Sequence, residues 1–253
     1  MRWLNHAILL RMPARLELKS MIMLQVSVAA PCNGSGKTSL LLAILQAFPG
    51  AFSTAKFTTI YREEQFCPVG NSGCPCHRLE GSYLLCDDPN VLAQPETDTG
   101  KLVAAGAGQT FWGVARPDGY PALVDLLRRD RFRESTSLLT EGNTVLGHLS
   151  PDFLLFVVNP CLPRDWWKSD SERLLEAADL IVVNPFLPEG ERTVAAQSPS
   201  VEQVLIPHAG KCVRGQGGLR LDRWKDRRPF NAIQELLTVA VKPSGRSQAA
   251  ASR

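Results

Sequence analysis

The sequence predicts an α/β chain built on an open, mostly parallel sheet with helices on both faces. Three observations carry that expectation. Apolar, β-branched runs of the length of buried parallel strands recur along the chain, separated by helical stretches. The first of these runs leads straight into a Gly-rich turn and an apolar helix. The length, 253 residues, suits one generous α/β domain carrying an insertion.

Taken in order, residues 1–20 form a basic N-terminal arm, with Ala7-Ile8-Leu9-Leu10 too short an apolar run for a secretory signal. MIMLQVSVAA, 21–30, reads as the first strand, PCNGSGKT as a loop, and SLLLAILQAF as a helix stopped by Pro49-Gly50. AFSTAKFTTI, 51–60, is the second strand. The stretch 61–97, rich in Cys, Pro, Gly and Asp, lacks periodicity and needs a ligand, a metal or a function to order it. Alternation then resumes. DTGKLVAAGA is a helix, GQTFWGVAR a strand, PALVDLLRRDRF an amphipathic helix, STSLLTEG and PDFLLFVVN strands, DSERLLEAA a helix and DLIVVNP a strand. VEQVLIP, 201–207, is expected as the last parallel strand, closing a main domain over 21–210. A basic excursion and the helix NAIQELLTVAV occupy 211–241, and the tail 242–253 has the composition of a disordered segment.

Charge is unevenly spread. The chain totals +3, but 1–20 contribute +3 and 211–253 contribute +7, leaving 21–210 at −7. An acidic body with basic ends lacks the uniform footprint of a nucleic-acid binder. No apolar run approaches the roughly 20 residues of a membrane-spanning helix. The basic stretch from Lys211 to Arg228 reads as a solvated face.

The strongest chemical signal is the loop between the first strand and helix. Gly34 and Gly36 let backbone N–H groups converge on phosphate oxygens, with Asn33, Ser35 and Ser39 beside them, and the helix N-terminus adds its dipole. Lys37 is placed to reach the β- and γ-phosphates and Thr38 to put a hydroxyl on Mg²⁺. This is the P-loop pattern, with Pro31 where its first glycine stands. Glu141, at the end of STSLLTEG, is the candidate carboxylate for Mg²⁺. Asp98 is a second, or alternatively the N-cap of its own helix. The guanine-reading N-K-x-D is absent: Asn184 is followed by Pro185-Phe186-Leu187, so GTP and ATP both stay open.

Seven cysteines, an odd number, together with a nucleotide signature point to a reducing, cytoplasmic compartment. Cys67, Cys74, Cys76 and Cys86 cluster with His77 in the irregular stretch. Cys-Pro-Cys-His with Cys67 could complete a tetrahedral Zn²⁺ site, and the four cysteines form a rival set. Structural zinc, a transient cargo-metal site, and buried or redox-active thiols (an iron–sulfur cluster among the doubtful cases) stay open.

In order along 21–145, Gly34-Ser35-Gly36-Lys37-Thr38, Lys56, Asp98-Thr99, Ala105-Gly106-Ala107 and Glu141-Gly142 resemble the molybdopterin-guanine dinucleotide biosynthesis protein B family. The resemblance implies a GTP-binding, commonly dimeric P-loop protein that assists nucleotide attachment to the molybdenum cofactor. In the wider class, Cys74-Pro75-Cys76-His77 and Glu141-Gly142-Asn143 are similar to motifs of nickel-insertion GTPases and cobalamin-type metallochaperones. Thr97-Asp98-Thr99-Gly100 matches a tetrapeptide of dethiobiotin synthetase, where it lies within the P-loop. The expectation is a Mg²⁺-dependent, slow NTPase of cofactor or metal-centre maturation, acting on a protein partner. Lys37 and Glu141 would act at the phosphates, with Lys56 and Asp98 at the γ-phosphate or a second substrate. A zinc-stabilised docking protein and a small-molecule ligase or kinase are the alternatives.

Overall fold

The computed structural model describes residues 24–61, 79, 81–130, 137–185, 201–214 and 226–241. Eight strands form one sheet in the order β3-β4-β2-β5-β1-β6-β7-β8. They span Gln25–Ala29 (β1), Phe52–Thr59 (β2), Tyr83–Cys86 (β3), Thr110–Ala115 (β4), Ser137–Glu141 (β5), Phe153–Val158 (β6), Leu180–Val183 (β7) and Cys212–Arg214 (β8). Every pairing is parallel except β3 on β4, which is antiparallel at the sheet edge. The helices are Lys37–Ala47 (α1), Pro89–Leu92 (α2), Asp98–Ala104 (α3), Tyr120–Asp130 (α4), Ser171–Ala177 (α5), Val201–Leu205 (α6) and Arg228–Val241 (α7). The mostly parallel α/β sheet expected from the sequence is the observed fold.

The central strands read as unbroken apolar runs because both of their faces are covered. Side chains alternate in β1: Val26 and Val28 pack with α1, while Ala29 joins the layer of α5. Helix α1 buries Leu40 through Leu45 without a polar stripe, as a helix held between the sheet and its neighbours must. Phe230 and Ile233 of α7 lie in the same core cluster as α1, so the C-terminal helix completes the layer that covers β1. On the opposite face, Tyr120, Leu123 and Leu127 of α4 pack over Ala55, Phe57 and Leu138. Among the described residues, no helix is long and apolar enough to cross a membrane.

Two expectations are corrected. VEQVLIP is not a strand: Val201–Leu205 is helical and Ile206–Lys211 continues as a 3₁₀ turn. Val201 and Leu205, four apart and so on one face of the helix, join the cluster of Leu154, Phe156 and Leu174. The last parallel strand is β8, further along, carrying Val213 into the core beside β7. The stretch 61–97 also holds regular structure in its described part. Strand β3 places Leu84 opposite Val114 and Cys86 opposite Trp112, and α2 follows, capped by the Asp88 side chain accepting from the Asn90 N–H at 2.9 Å. The N-terminal arm 1–20, the tail 242–253 and the greater part of the basic 211–228 stretch lie outside the described residues.

Candidate functional site

The C-terminal ends of parallel strands β2, β5, β1 and β7 converge on a cavity of about 670 Å³, in the size range of small-molecule sites. Its floor is the loop joining β1 to α1. Gly36, the residue before the helix, has φ +106 and ψ +21, and Gly34 has φ +75. Both are left-handed conformations that L side chains rarely adopt. A Cβ on Gly36 would also stand 2.4 Å from the Asn184 Nδ2. Glycine is therefore required there twice over, by backbone and by space.

A side chain of the loop itself and side chains from two other segments hold it in place. Ser35, fully buried, donates through Oγ to the Cys32 carbonyl at 3.0 Å. Asn184, at the end of β7, donates through Nδ2 to the Ser35 carbonyl at 3.0 Å, while its Oδ1 is buried without a described partner. Asn143, just past β5, both accepts from the Ala30 N–H at 3.2 Å and donates to the Ala30 carbonyl at 2.9 Å. Held this way, the loop lines the cavity with Asn33, Gly34, Gly36 and Lys37.

Register explains the charged cluster. Lys56 on β2 lies opposite Glu141 on β5, and parallel neighbours in register present side chains to the same face. Lys56 Nζ stands 3.5 Å from Glu141 Oε1 and pairs closely with Asp98 at the start of α3. Lys101 approaches the other Asp98 oxygen at 4.0 Å. Thr38 Oγ1 donates to Glu141 Oε2 at 3.2 Å. Lys37 folds back over the loop, with Nζ 3.5 Å from the Cys32 carbonyl.

The electrostatics follow from this packing. Burial lowers the Lys37 ammonium below its ordinary pKa; Glu141 opposes the shift, and Lys168 and Lys56 add to it. Burial works the same way on Lys56, but Glu141 and Asp98 outweigh it and raise its pKa. For Asp98, burial pushes upward, yet Lys56 and then Lys101 bring the carboxyl below the usual range. Lys56 and Asp98 thus hold each other ionised.

Asn33, Gly34, Gly36, Lys37, Thr38, Ser39, Lys56, Asp98 and Glu141 all line this one cavity. Ser35 does not line it; it braces the loop from behind. Asp98 is not the helix cap, since Thr97 takes that role, accepting from the Gly100 N–H at 3.0 Å. Cys86 is buried with Leu92, Trp112 and Val114. Burial raises its thiol, which disfavours the thiolate a metal needs. Cys67, Cys74, Cys76 and His77 lie outside the described residues. Among the described residues, no three His, Cys, Asp or Glu side chains form a metal-holding group. Cavity groups that sequence reasoning missed as site residues include Lys101, Thr144 and Lys168, the last arriving from the β6–α5 connection. Asn143 belongs to the Glu141-Gly142-Asn143 motif, but its bracket on Ala30 is a tertiary contact.

The Thr38 hydroxyl and Glu141 carboxylate suit a hard cation such as Mg²⁺, which takes oxygen ligands. They face the same cavity as Lys37 and the loop N–H groups. Strand, left-handed glycine loop, Lys-Thr at a helix start and a carboxylate on the adjacent strand together make up the phosphate-binding core of a P-loop NTPase fold.

No protein-family model matches the chain. No curated protein matches it either. Among solved structures, it is similar to the MinC:MinD cell division protein complex of Aquifex aeolicus, at 18% identity and a TM-score of 0.36, covering 91% of this chain and 99% of that one. At those values the likeness bears on neither ligand nor activity.

Proposed function

We propose that this protein binds GTP or ATP with Mg²⁺ and hydrolyses it slowly. The observation that carries the reading is the convergence of Lys37, Thr38 and Glu141 at a loop whose glycines open its N–H groups to the cavity. The phosphates would lie on the backbone of Gly34 to Thr38, with Lys37 spanning the β- and γ-oxygens. Thr38 directly, and Glu141 directly or through water, would hold Mg²⁺, which when bound neutralises charge on those oxygens. Before nucleotide arrives, the Thr38–Glu141 hydrogen bond keeps both ligands in place. Lys56 stands beside Glu141, and its close pairing with Asp98 keeps it from competing as a free charge at the γ-phosphate.

Equilibrium titration with fluorescent GTP and ATP analogues, with and without Mg²⁺, tests the reading. Micromolar, Mg²⁺-dependent binding that is lost in Lys37→Ala supports it; equal affinity in the wild type and Lys37→Ala overturns it.

The finer reading is a role in maturing the molybdenum cofactor or a metal centre, in the cytoplasm, with a protein partner and as a homodimer. The ordered resemblance over 21–145 supports it, because its separated pieces Lys56, Asp98 and Glu141 meet at one cavity. The test is which molecule accelerates hydrolysis. Stimulation by a pterin phosphate or an apo-metalloenzyme supports maturation, whereas stimulation by a small hydroxyl or amine acceptor makes the protein a ligase or kinase. Zinc as a cofactor rests on Cys67, Cys74, Cys76 and His77 and is tested by metal analysis of the purified protein.

A further inference from the structure

Pro31 occupies the position where the phosphate-loop pattern has its first glycine. The structure shows its carbonyl in use. It accepts the Lys168 backbone N–H at 2.9 Å and the Ser171 hydroxyl at 3.3 Å. Ser171 is fully buried. A further tie runs through Asn143, whose Nδ2 lies 2.9 Å from the Ala30 carbonyl and 3.4 Å from Asp170 Oδ1. The short segment 168–171, between β6 and α5, is therefore fastened to the first residues of the loop and, through Asn143, to the end of β5.

That fastening fixes where Lys168 begins but leaves its head free. The residue is exposed and lines the same cavity as Lys37, Thr38 and Glu141. Lys56 is held by two carboxylates, whereas among the described residues no carboxylate pairs with Lys168. Lys168 and Lys56 both disfavour a charge on Lys37, Lys168 the more strongly.

Building on the nucleotide reading above, we propose that Lys168 is a second phosphate-binding cation, contributed by the same chain, that closes on the terminal phosphate of a bound triphosphate. The loop N–H groups and Lys37 cradle the inner phosphates. The terminal group projects past the loop toward the strand ends, where Lys168 reaches the cavity from the Pro31 side and Glu141 faces it from the β5 side. A long, exposed ammonium anchored at its backbone, with no carboxylate partner among the described residues, can move onto that group. Lys168 thus makes the site distinguish triphosphate from diphosphate.

The test compares dissociation constants of a non-hydrolysable triphosphate analogue and of the diphosphate, with Mg²⁺, for wild type, Lys168→Ala, Lys168→Arg and Lys37→Ala. Losing one charge-assisted hydrogen bond should weaken the triphosphate about tenfold in Lys168→Ala and leave the diphosphate within about twofold. Lys168→Arg should recover most of the difference. Equal weakening of both ligands, or of neither, overturns the assignment while the nucleotide reading stands, provided Lys37→Ala still loses binding. A wild-type protein that binds neither nucleotide overturns both.

Discussion

Asn143 brackets Ala30: one side-chain amide accepts from the Ala30 N–H at 3.2 Å and donates to its carbonyl at 2.9 Å. The pair reproduces, with a side chain, the two bonds that a neighbouring strand would make where β1 runs out. The loop leaves the sheet at a defined point for this reason, and the following residues turn toward the cavity. Asn143→Ala strands two buried backbone groups, at about 1–3 kcal/mol each. A fall in thermal midpoint with a parallel loss of nucleotide affinity is expected. Asn143→Asp should recover little, because it keeps an acceptor but loses the donor to the carbonyl. If affinity fell in Asn143→Ala without any change in melting, the bracket would not be a structural element.

Gly36→Ala should be among the most damaging single-methyl changes in the chain. The left-handed backbone at φ +106 resists any side chain, a strain of about 1–3 kcal/mol, and the new methyl meets Asn184 Nδ2 at 2.4 Å. The double variant Gly36→Ala with Asn184→Gly removes the collision and leaves the strain. It should regain only part of the lost stability and none of the Asn184 bond to the Ser35 carbonyl. Melting curves of the single and double variants separate the two causes.

Much of this site is readable without coordinates, for a physical reason. The loop glycines, Lys37, Thr38 and the flanking strand and helix are contiguous, and local geometry dictates their residue types. Lys56, Asp98 and Glu141 are far apart in the chain, but Glu141 ends β5, Asp98 starts α3, and parallel register sets Lys56 of β2 beside Glu141. What stays hidden is tertiary. Nothing around Lys168 marks it, because its placement depends on a backbone bond to Pro31. The short segment Val201–Leu205 fits a strand or a helix equally well by its apolar residues, and only the cluster of Leu154 and Leu174 decides. Strand β3 is four residues long and sits at an edge, too short for a period to declare itself.

Thr38→Ala and Glu141→Gln should act through the cation more than through the nucleotide. Each removes one oxygen function from the pair joined at 3.2 Å. Nucleotide affinity measured without Mg²⁺ should change little, and the gain on adding Mg²⁺ should shrink by about tenfold or more. Glu141→Gln also deprives Lys56 of one of its two partners, so its melting midpoint should drop further than that of Thr38→Ala. A Mg²⁺ titration of nucleotide affinity in the two variants, with an undiminished metal response, would exclude these residues as ligands.

Cys86→Ala should leave metal content unchanged. Its sulfur packs among Leu92, Trp112 and Val114, where burial keeps the thiol protonated. The change removes a small apolar group and should cost about 1 kcal/mol of stability. Elemental analysis of wild type, Cys86→Ala and Cys76→Ala gives the comparison. Equal loss of metal from both variants would bring Cys86 back as a ligand.

Nucleotide binding should take up a proton at alkaline pH, and Lys37 should be the group that accepts it. Burial, with Lys168 and Lys56 adding, holds the free-protein pKa of Lys37 below the ordinary lysine value. A bound triphosphate favours the ammonium and raises it. The sign follows directly: affinity is at its full value below the free-protein pKa and declines as pH rises through it, until the higher pKa of the complex is passed. Lys56 does not contribute over this range, because Glu141 and Asp98 raise its pKa and keep it charged. Asp98, lowered by the same pairing, is ionised throughout. Calorimetric titrations at about pH 9–10, near the ordinary lysine range, in buffers of different ionisation enthalpy, should show net proton uptake in the wild type. Lys37→Arg should show none, since a guanidinium stays charged in both states. Uptake that persists in Lys37→Arg would move the titrating group elsewhere.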